Sequence, residues 1–247
     1  MTGFGAGAVA LVTGAAGVMG LATARMLAEE GYRVAMGDLA SDRLDAAAAS
    51  VNGARAYGFD VSDPEACADA VRRIEGELGP VAALVNNAGI LSNNKAVQTT
   101  PEEWRRLISI NLDGAFYLAR AVLPAMRERR AGRIVNTCSL AMKSGGLTAG
   151  TAYTVSKGGL GALTFSLARE TAAQGITVNA VAPAYVRTPM VEEQLTAEQR
   201  KALLAQIPVG RFCEPEEFAH CVRFFLHPLS GFITGEILDL NGGFHFD

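Results

Sequence analysis

The amino-acid sequence predicts an α/β protein in which a doubly wound parallel sheet of about seven strands carries helices on both faces. Short apolar runs alternate with longer amphipathic stretches along the chain, a pattern typical of strands joined by helical crossovers. The length of 247 residues suits one large domain, 1–247, and no repeat or linker divides it.

The strands and the main helices follow from this pattern. Seven segments have the composition of buried strands: Val9–Thr13, Tyr32–Gly37, Ala54–Phe59, Val81–Val85, Arg133–Cys138, Ile176–Val181 and Glu236–Leu240. Helices are expected between them, including one from Glu102 to Arg130 that breaks near Asn111, and one from Tyr153 to Ala173. The stretch 188–212 is expected to be a loop insertion over the substrate.

Composition excludes several classes of protein. Hydrophobic residues make up 49% and charged residues 19%, which is typical of a compact enzyme. The net charge of −3 gives no basic field for nucleic acid or an acidic membrane surface. The four cysteines form no C-x-x-C pair and the histidines have no metal-like spacing, so no metal site is predicted. Without a signal peptide or a membrane-length apolar run, a cytoplasmic protein is expected.

The turn after the first strand is rich in glycine. Gly14, Gly17 and Gly20 lie between a predicted strand and a predicted helix. Such a turn lets the backbone approach a pyrophosphate, and the helix N-terminus offers N–H groups and positive potential to the anion. A tight strand-to-helix turn needs glycine even without a ligand, so the trio alone is a weak signal.

An acid at the end of the second strand strengthens the case for a dinucleotide. Asp38 lies eighteen residues beyond Gly20, where a carboxylate accepts hydrogen bonds from the adenosine ribose hydroxyls. It would repel the 2′-phosphate of NADP, and neither the glycine loop nor Leu39 supplies a cation to bind that phosphate. The sequence therefore predicts NAD, although a solvated aspartate at a strand end is the structural alternative.

Further segments, in chain order, resemble the short-chain dehydrogenase/reductase family, in its shorter single-domain branch. They are Asp60-Val61, Asn86-Asn87-Ala88-Gly89, Asn111 within Ile110–Gly114, Ser139, Tyr153-x-x-x-Lys157, Val178–Met190 and Ile233–Gly243. The resemblance spans nearly the whole chain. A lone Y-x-x-x-K would be weak, whereas this ordered set is specific.

The resemblance implies a Rossmann-like fold, hydride transfer between a secondary alcohol and its ketone, a small-molecule substrate and a homotetramer. It implies a catalytic tetrad of Asn111, Ser139, Tyr153 and Lys157. It also implies these NAD-binding residues: Gly14, Gly17, Val18, Met19, Gly20, Asp38, Leu39, Asp60, Val61, Asn87, Ala88, Gly89, Tyr153, Lys157, Pro183, Val186 and Thr188.

The chemistry explains why these residue types occur together. Tyrosine has a pKa near 10, too high for a base at neutral pH, and a lysine one helical turn away is expected to lower it together with the oxidised nicotinamide. Ser139 would hydrogen-bond the substrate oxygen. By resemblance, Asn111 holds a water that connects Lys157 to solvent, although it could simply break its helix.

Three positions depart from the family pattern. Val18 replaces a glycine, with glycine at 17 instead, so the phosphate turn is expected to differ locally. Ala184 replaces the glycine after Pro183, which either changes that turn or shows that glycine is not required there. Cys138 replaces the serine before Ser139.

The substrate pocket is expected to be mainly apolar. By resemblance its lining includes Leu91, Ala141, Met142, Leu147, Tyr185, Met190, Val191 and Leu195. A less favoured alternative is that Lys143, Arg187 or Arg211 turns inward and clamps an acidic substrate.

Two other functions remain open. A 3-oxoacyl-carrier-protein reductase would look similar over the whole chain, and the cluster from Arg127 to Arg133 would then dock the carrier, if it is not a solvated helix end. Asp38 counts against this function because biosynthetic reductases usually use NADPH. A catalytically silent dinucleotide-binding regulator is the other alternative, against which the intact Ser139, Tyr153 and Lys157 argue.

Overall fold

One parallel sheet organises the protein, whose computed structural model describes residues 5–188 and 196–246. Its strands are β1 (Val9–Thr13), β2 (Arg33–Asp38), β3 (Arg55–Gly58), β4 (Val81–Asn86), β5 (Gly132–Thr137), β6 (Ile176–Pro183) and β7 (Ile237–Leu240). They lie in the order β3-β2-β1-β4-β5-β6-β7, and every pairing is parallel. This confirms the predicted α/β architecture, with strand ends shifted by one or two residues.

Helices connect the strands. They are α1 (Val18–Glu29), α2 (Asp42–Ala49), α3 (Pro64–Leu78), α4 (Pro101–Ile108), α5 (Gly114–Arg129), α6 (Ala141–Ser144), α7 (Thr151–Thr171), α8 (Ala197–Leu204) and α9 (Pro215–Leu226). Several begin at polar caps. Ser41 accepts a hydrogen bond from the Leu44 N–H, and Asp63, just before Pro64, accepts two from the first turn of α3.

The core lies on both faces of the sheet. Leu11 and Leu84 pack into a cluster with α3 and α5, while their neighbours Val12 and Val85 pack into a second cluster with α1 and α9. Because successive side chains of a strand point to opposite faces, both faces need apolar residues. This explains why the strand sequences are continuously apolar rather than alternating.

The predicted long helix breaks where expected. Ser109–Asp113 forms a π-helical turn between α4 and α5, with Asn111 buried at its centre. The Asn111 amide donates to the Ile90 carbonyl and the Ser156 hydroxyl, and its oxygen accepts from the Ile90 N–H. Such wide turns occur mostly where a helix serves a functional site. Through Asn111, the π-helical turn links Ile90, in the segment after β4, to Ser156 on α7.

A ladder of buried polar side chains fixes α7 against the sheet. The Asn86 amide donates to Asn136 on β5, and the Asn136 amide donates to the Thr164 hydroxyl on α7, each at 2.9 Å. Thr164 in turn donates to the Leu160 carbonyl. Buried polar groups of this kind specify one arrangement, since any other leaves them unpaired.

The strand order reverses between β1 and β4, where the first crossovers leave on opposite sides of the sheet. In doubly wound folds the ligand crevice opens at this point, beyond the carboxyl ends of the strands. Across 5–188 and 196–246, none of the helices combines the length and apolar character needed to cross a bilayer.

Candidate active site

The glycine turn at the end of β1 forms a cradle suited to a pyrophosphate. Gly14 has a φ of +62°, and a Cβ there would lie 2.9 Å from the Cα of Ala88. A Cβ on Gly20 would lie 2.2 Å from the Gly14 carbonyl oxygen. Gly17 precedes α1 and has no side chain to cap its first N–H groups, which are thus available to an anion.

Val18 does not disturb this cradle. It is the first residue of α1, and Arg130 is the one described non-glycine residue with positive φ. The backbone at 18 therefore has no need of glycine. Met19 lies in the same first turn of α1.

The segment after β4 holds the glycine turn in place. The Thr13 hydroxyl accepts hydrogen bonds from the N–H groups of Asn87, at 3.0 Å, and Ala88, at 3.1 Å. The Asn87 amide donates back to the carbonyls of Thr13 and Gly14. Sequence reasoning identified Asn87 and Ala88 but missed Thr13, whose hydroxyl joins the two strand ends.

Asp38 lies over the glycine turn. One carboxylate oxygen accepts from the Ala16 N–H at 3.0 Å and the other from the Leu39 N–H at 2.8 Å. Asp38 stays partly exposed and Leu39 is exposed, so a ribose could reach both. Asp60 and Val61 follow β3, where Asp60 accepts two hydrogen bonds from Ser62 and Val61 is buried.

Ser139, Tyr153 and Lys157 meet beyond the carboxyl end of β5. Tyr153 and Lys157 lie one turn apart on α7, and the Lys157 ammonium is 5.8 Å from the centre of the Tyr153 ring. Ser139 hydrogen-bonds Tyr153, and the Lys157 ammonium donates to the Thr137 carbonyl at 2.7 Å. The structure thus brings together the three groups that the sequence predicted.

Asn111 completes the group. A Cβ on Gly89 would lie 3.2 Å from the Asn111 side-chain oxygen and 3.4 Å from the Lys157 nitrogen, so both side chains approach this glycine closely. A cavity of about 10 Å³, the size of one water site, is lined by Asn111 and Asn86 among others. Asn111 therefore has a structural role at Ile90 and Ser156 as well as the position expected of a tetrad member.

Burial dominates the electrostatics of this site. It lowers the pKa of Lys157 to about 8 and raises the pKa of Tyr153, against the hydrogen bond from Ser139, which lowers it. In the protein without the nicotinamide charge that the expectation includes, desolvation favours the neutral form of both groups. A further positive charge is needed to favour tyrosinate.

Cys138 and Ala184, the other two departures from the family pattern, fit the structure without strain. Burial raises the pKa of the Cys138 thiol to about 11, so this residue behaves as a small apolar side chain beside Ser139. Ala184 has no positive φ, and its N–H donates to the Leu240 carbonyl at 3.0 Å. Glycine is thus not required at 184 in this turn.

The segment after β6 forms the outer wall of the site. Pro183 ends β6, and its carbonyl accepts a hydrogen bond from the Leu140 N–H. Val186 forms a β-bridge with Cys213. Thr188 is the last residue described before the gap at 189–195. The Tyr185 ring contacts the rings of Phe212 and Phe244, neither of which the sequence singled out.

The expected pocket lining is described in part. Leu91 and Leu147 are exposed, Ala141 is buried, Met142 is partly buried, and the Tyr185 hydroxyl is 3.3 Å from the Thr148 hydroxyl. The remaining expected residues lie outside the described ones: Met190, Val191 and Leu195.

The cations considered as substrate clamps contact carboxylates of the protein. Lys143 pairs with Asp239 at 2.7 Å, and both side chains are largely shielded. Arg187 pairs with Glu214 at 3.0 Å. Arg211 binds Glu217 through two hydrogen bonds that lower the pKa of Glu217 to about 2. These pairs favour the prediction of an uncharged substrate centre.

The arginine cluster of 127–133 lies at the amino ends of the strands, on the side of the sheet away from Ser139. Arg127 pairs with Glu170, Arg129 donates to the carbonyl of Val81 at the start of β4, and Arg133 is buried near the start of β5. Strands of this length separate those ends from Ser139 by about 20 Å. The cluster and Ser139 thus lie at opposite ends of β5.

Comparison with known proteins agrees with this geometry. A family model described as Enoyl-(Acyl carrier protein) reductase matches residues 14–245. The chain belongs to the short-chain dehydrogenase/reductase family.

Individual members of this family are similar along the whole chain. An acetoacetyl-CoA reductase from Rhizobium meliloti (strain 1021) is 42% identical over 96% of this chain and 98% of that protein. The 3-oxoacyl-[acyl-carrier-protein] reductase FabG of Vibrio cholerae is 41% identical over 97% and 98%. The crystal structure of gox2181 superposes with a TM-score of 0.90 at 34% identity, covering 96% of this chain and 95% of that one. This short-chain dehydrogenase/reductase is therefore an oxidoreductase that acts on CH–OH donors and their ketones.

The lowered pKa of Lys157 predicts a pH-dependent contribution to stability. Between about 8, its folded pKa, and 10.5, its ordinary value, the unfolded chain binds more protons than the folded chain. The free energy of unfolding of the wild type should thus rise relative to Lys157→Met across this range, by about 1–3 kcal/mol. Urea unfolding of both proteins without cofactor at pH 7, 8, 9 and 10 measures this.

The exposed Lys201 on α8 provides a matched control. Lys201→Met should keep a constant difference from the wild type across the same pH range. If the Lys157→Met curve also runs parallel to the wild type, burial does not disfavour the charged form of Lys157.

Proposed function

We propose that this protein interconverts 3-oxoacyl and 3-hydroxyacyl thioesters with NAD(H) as the hydride carrier. The observation that carries the proposal is the meeting of Ser139, Tyr153 and Lys157 beside the glycine cradle, with Asp38 over its far end. The relatives named as acetoacetyl-CoA and 3-oxoacyl-carrier-protein reductases support the acyl thioester. A simpler secondary alcohol or ketone is the other candidate substrate. A substrate with a free carboxylate is less favoured than either, because Lys143, Arg187 and Arg211 already pair with carboxylates of the protein.

The residues of the cradle suit a dinucleotide. The pyrophosphate would lie against Gly14, Gly17 and the N-terminus of α1, whose N–H groups have no side-chain cap. Asp38 would accept the ribose hydroxyls. By family resemblance, the adenine lies at Asp60 and Val61, and the nicotinamide end at the residues Asn87, Ala88, Gly89, Tyr153, Lys157, Pro183, Val186 and Thr188.

The side chains divide the reaction between them. When bound, the nicotinamide supplies the hydride in reduction and accepts it in oxidation. Ser139 donates a hydrogen bond to the substrate carbonyl oxygen, and the Tyr153 hydroxyl donates the proton that turns this oxygen into an alcohol. The buried Lys157 ammonium, with Asn111 beside it, lies where a proton can be returned to Tyr153.

The cysteines bear on the cellular setting. All four cysteines are free, which suits a reducing cytoplasm, and we place the protein there as a small-molecule enzyme. The net charge of −3 gives no general attraction for nucleic acid.

The cofactor preference can be tested at Asp38. We expect kcat/KM to be at least tenfold higher with NADH than with NADPH, because the carboxylate binds a free 2′-hydroxyl and repels a phosphate. Asp38→Ser should narrow this ratio, chiefly by weakening NADH binding. The control Asp42→Ser removes a nearby acid from the start of α2 and should leave the ratio unchanged. Equal or better efficiency of the wild type with NADPH would contradict the proposal.

The reaction itself can be tested with acetoacetyl-CoA and a matched simple ketone. Tyr153→Phe should lower kcat by about 10²–10⁴-fold while NADH binding, followed by fluorescence, is retained, because only the proton-transferring oxygen is lost. Tyr117→Phe, on α5, is the matched control and should keep wild-type turnover. If the wild type binds NADH but turns over neither substrate, the protein is better explained as a catalytically silent dinucleotide-binding regulator. If it prefers the simple ketone, the proposal of a thioester substrate is wrong.

A homotetramer is proposed from large apolar side chains that are exposed on two sets of elements. Phe116, Val155 and Phe165 are exposed on α5 and α7, and Phe224, Leu229, Phe232 and Phe246 are exposed on α9 and the C-terminal segment. Two such surfaces would permit two different two-fold contacts.

Light scattering should give about four times the chain mass of 25.9 kDa. Phe165→Glu and Phe232→Glu should each yield dimers, whereas the control Val97→Glu, on an exposed loop, should remain a tetramer. A monomer mass for the wild type across a wide concentration range would rule this assembly out.

A further inference from the structure

The two loops that border the site are joined by hydrogen bonds that the proposed reaction does not use. The loop 90–98 follows Gly89, and the loop 145–150 precedes α7. The Gly150 N–H donates to the Ser92 carbonyl at 2.7 Å, and the Thr151 N–H donates to the Asn94 carbonyl at 3.1 Å. We call the contacts between 92–95 and 146–151 the loop clasp.

Lys95 is the charged element of the loop clasp. Its ammonium donates to the Gly146 carbonyl at 2.7 Å and to the Ala149 carbonyl at 2.6 Å. Hydrogen bonds from a charged donor are short and strong, and these two span the turn that leads into α7. The ammonium thus holds together carbonyl oxygens that would otherwise face each other.

The backbones in the loop clasp approach very closely. A Cβ on Gly150 would lie 2.3 Å from the Asn94 carbonyl oxygen. Gly146 has a φ of +76°, and a Cβ there would lie 2.3 Å from the Thr154 hydroxyl. Neither loop can therefore shift without displacing the other or the first turn of α7.

Glu103 anchors the loop clasp to α4. Its carboxylate accepts from the Ser92 hydroxyl and from the Asn94 amide, the latter at 2.9 Å. These hydrogen bonds lower the pKa of Glu103, so the carboxylate stays ionised. The loop 90–98 is thus fixed at α4, and Lys95 extends this fixation to the loop 145–150.

We propose that Lys95 is a positioning residue for the reaction, acting through the loop clasp on Tyr153. Tyr153 is the third residue of α7, and the first turn of this helix closes by a hydrogen bond from the Thr154 N–H to the Gly150 carbonyl. Gly150 is the residue that the loop clasp holds against Ser92 and Asn94. Lys95 thereby sets where the Tyr153 hydroxyl stands relative to Ser139 and Lys157.

The size of the effect follows from the geometry of proton and hydride transfer. A displacement of about 1 Å at the reacting groups lowers a rate by as much as about a hundredfold. The glycine cradle itself is formed by other elements, namely the ends of β1, β2 and β4, so cofactor affinity should depend on Lys95 much less than turnover does. The proposal rests on the proposed role of Tyr153 and separates turnover from cofactor binding.

Lys95→Ala with chemical rescue tests the proposal. We expect kcat to fall about tenfold or more while the Kd for NADH changes much less. Because Lys95 is an exposed residue, ammonium ions from solvent can enter between the two carbonyls, and ammonium chloride should restore much of the lost kcat. Tetramethylammonium chloride at the same ionic strength has no N–H donor and should not. Arg72→Ala, at an exposed cation on α3, is the control and should match the wild type.

Hydrogen–deuterium exchange gives a readout that does not need turnover. Amides in 145–154 should exchange faster in Lys95→Ala than in the wild type, and ammonium chloride should reverse the change. The proposal is overturned if Lys95→Ala has the kcat and the amide exchange of the wild type. It is also overturned if NADH affinity falls as much as kcat does, or if both salts restore kcat equally. If the wild type turns over no ketone, the proposed function fails, and the exchange experiment still decides whether Lys95 orders the start of α7.

Discussion

The close approach of the ends of β1 and β4 is the constraint on which the rest of the site depends. The Thr13 hydroxyl and the Asn87 amide tie these ends together, and Gly14 permits the approach because it has no Cβ. This contact fixes the position of the glycine turn, where an anion would bind. It also fixes the path of the chain from β4 to Gly89. Asn111 and Lys157 both approach Gly89, so the glycine turn and the groups proposed to be catalytic share one support.

The two groups proposed for proton transfer, Tyr153 and Lys157, lie in a setting that is unfavourable to their charged forms. Lys157 is buried with a lowered pKa, and Tyr153 has a raised one. Such an arrangement reduces the stability of the empty protein and makes the reactivity of Tyr153 depend on a positive charge arriving from outside. A positive charge brought beside Tyr153, such as that of an oxidised nicotinamide, would favour its ionised form.

Much of this could be predicted from the sequence because the informative residues act locally. The strand runs, the glycine turn and the Tyr153–Lys157 spacing each depend on neighbours within a few positions, and all lie where expected. The polar contacts across the fold could not be predicted. Lys95 meets the Gly146 carbonyl across 51 positions, and Lys143 meets Asp239 across 96. No periodicity encodes such pairs, since they depend on how loops return to the sheet.

The sign of the Tyr153 pKa shift was beyond sequence reasoning for a related reason. The identity of a neighbouring lysine suggests attraction, but the outcome depends on how much water both groups lose. Cys138 and Ala184 illustrate the converse. Both break the family pattern in the sequence, yet one is a buried apolar side chain and the other sits in an unstrained turn.

The π-helical turn at Ser109–Asp113 also has a consequence for how this chain tolerates change in length. One residue more or less in an α-helix rotates everything beyond it by about 100°. The wide turn separates the angular register of α4 from that of α5, so the amphipathic stripe of each helix is set on its own. A π-helical turn holds one residue more than an α-helical turn, so the loss of one of these five residues would convert the wide turn into an ordinary one. Leu118 and Val122 of α5 would then keep their places in the core, and the crossover can absorb a change of one residue in length at this point.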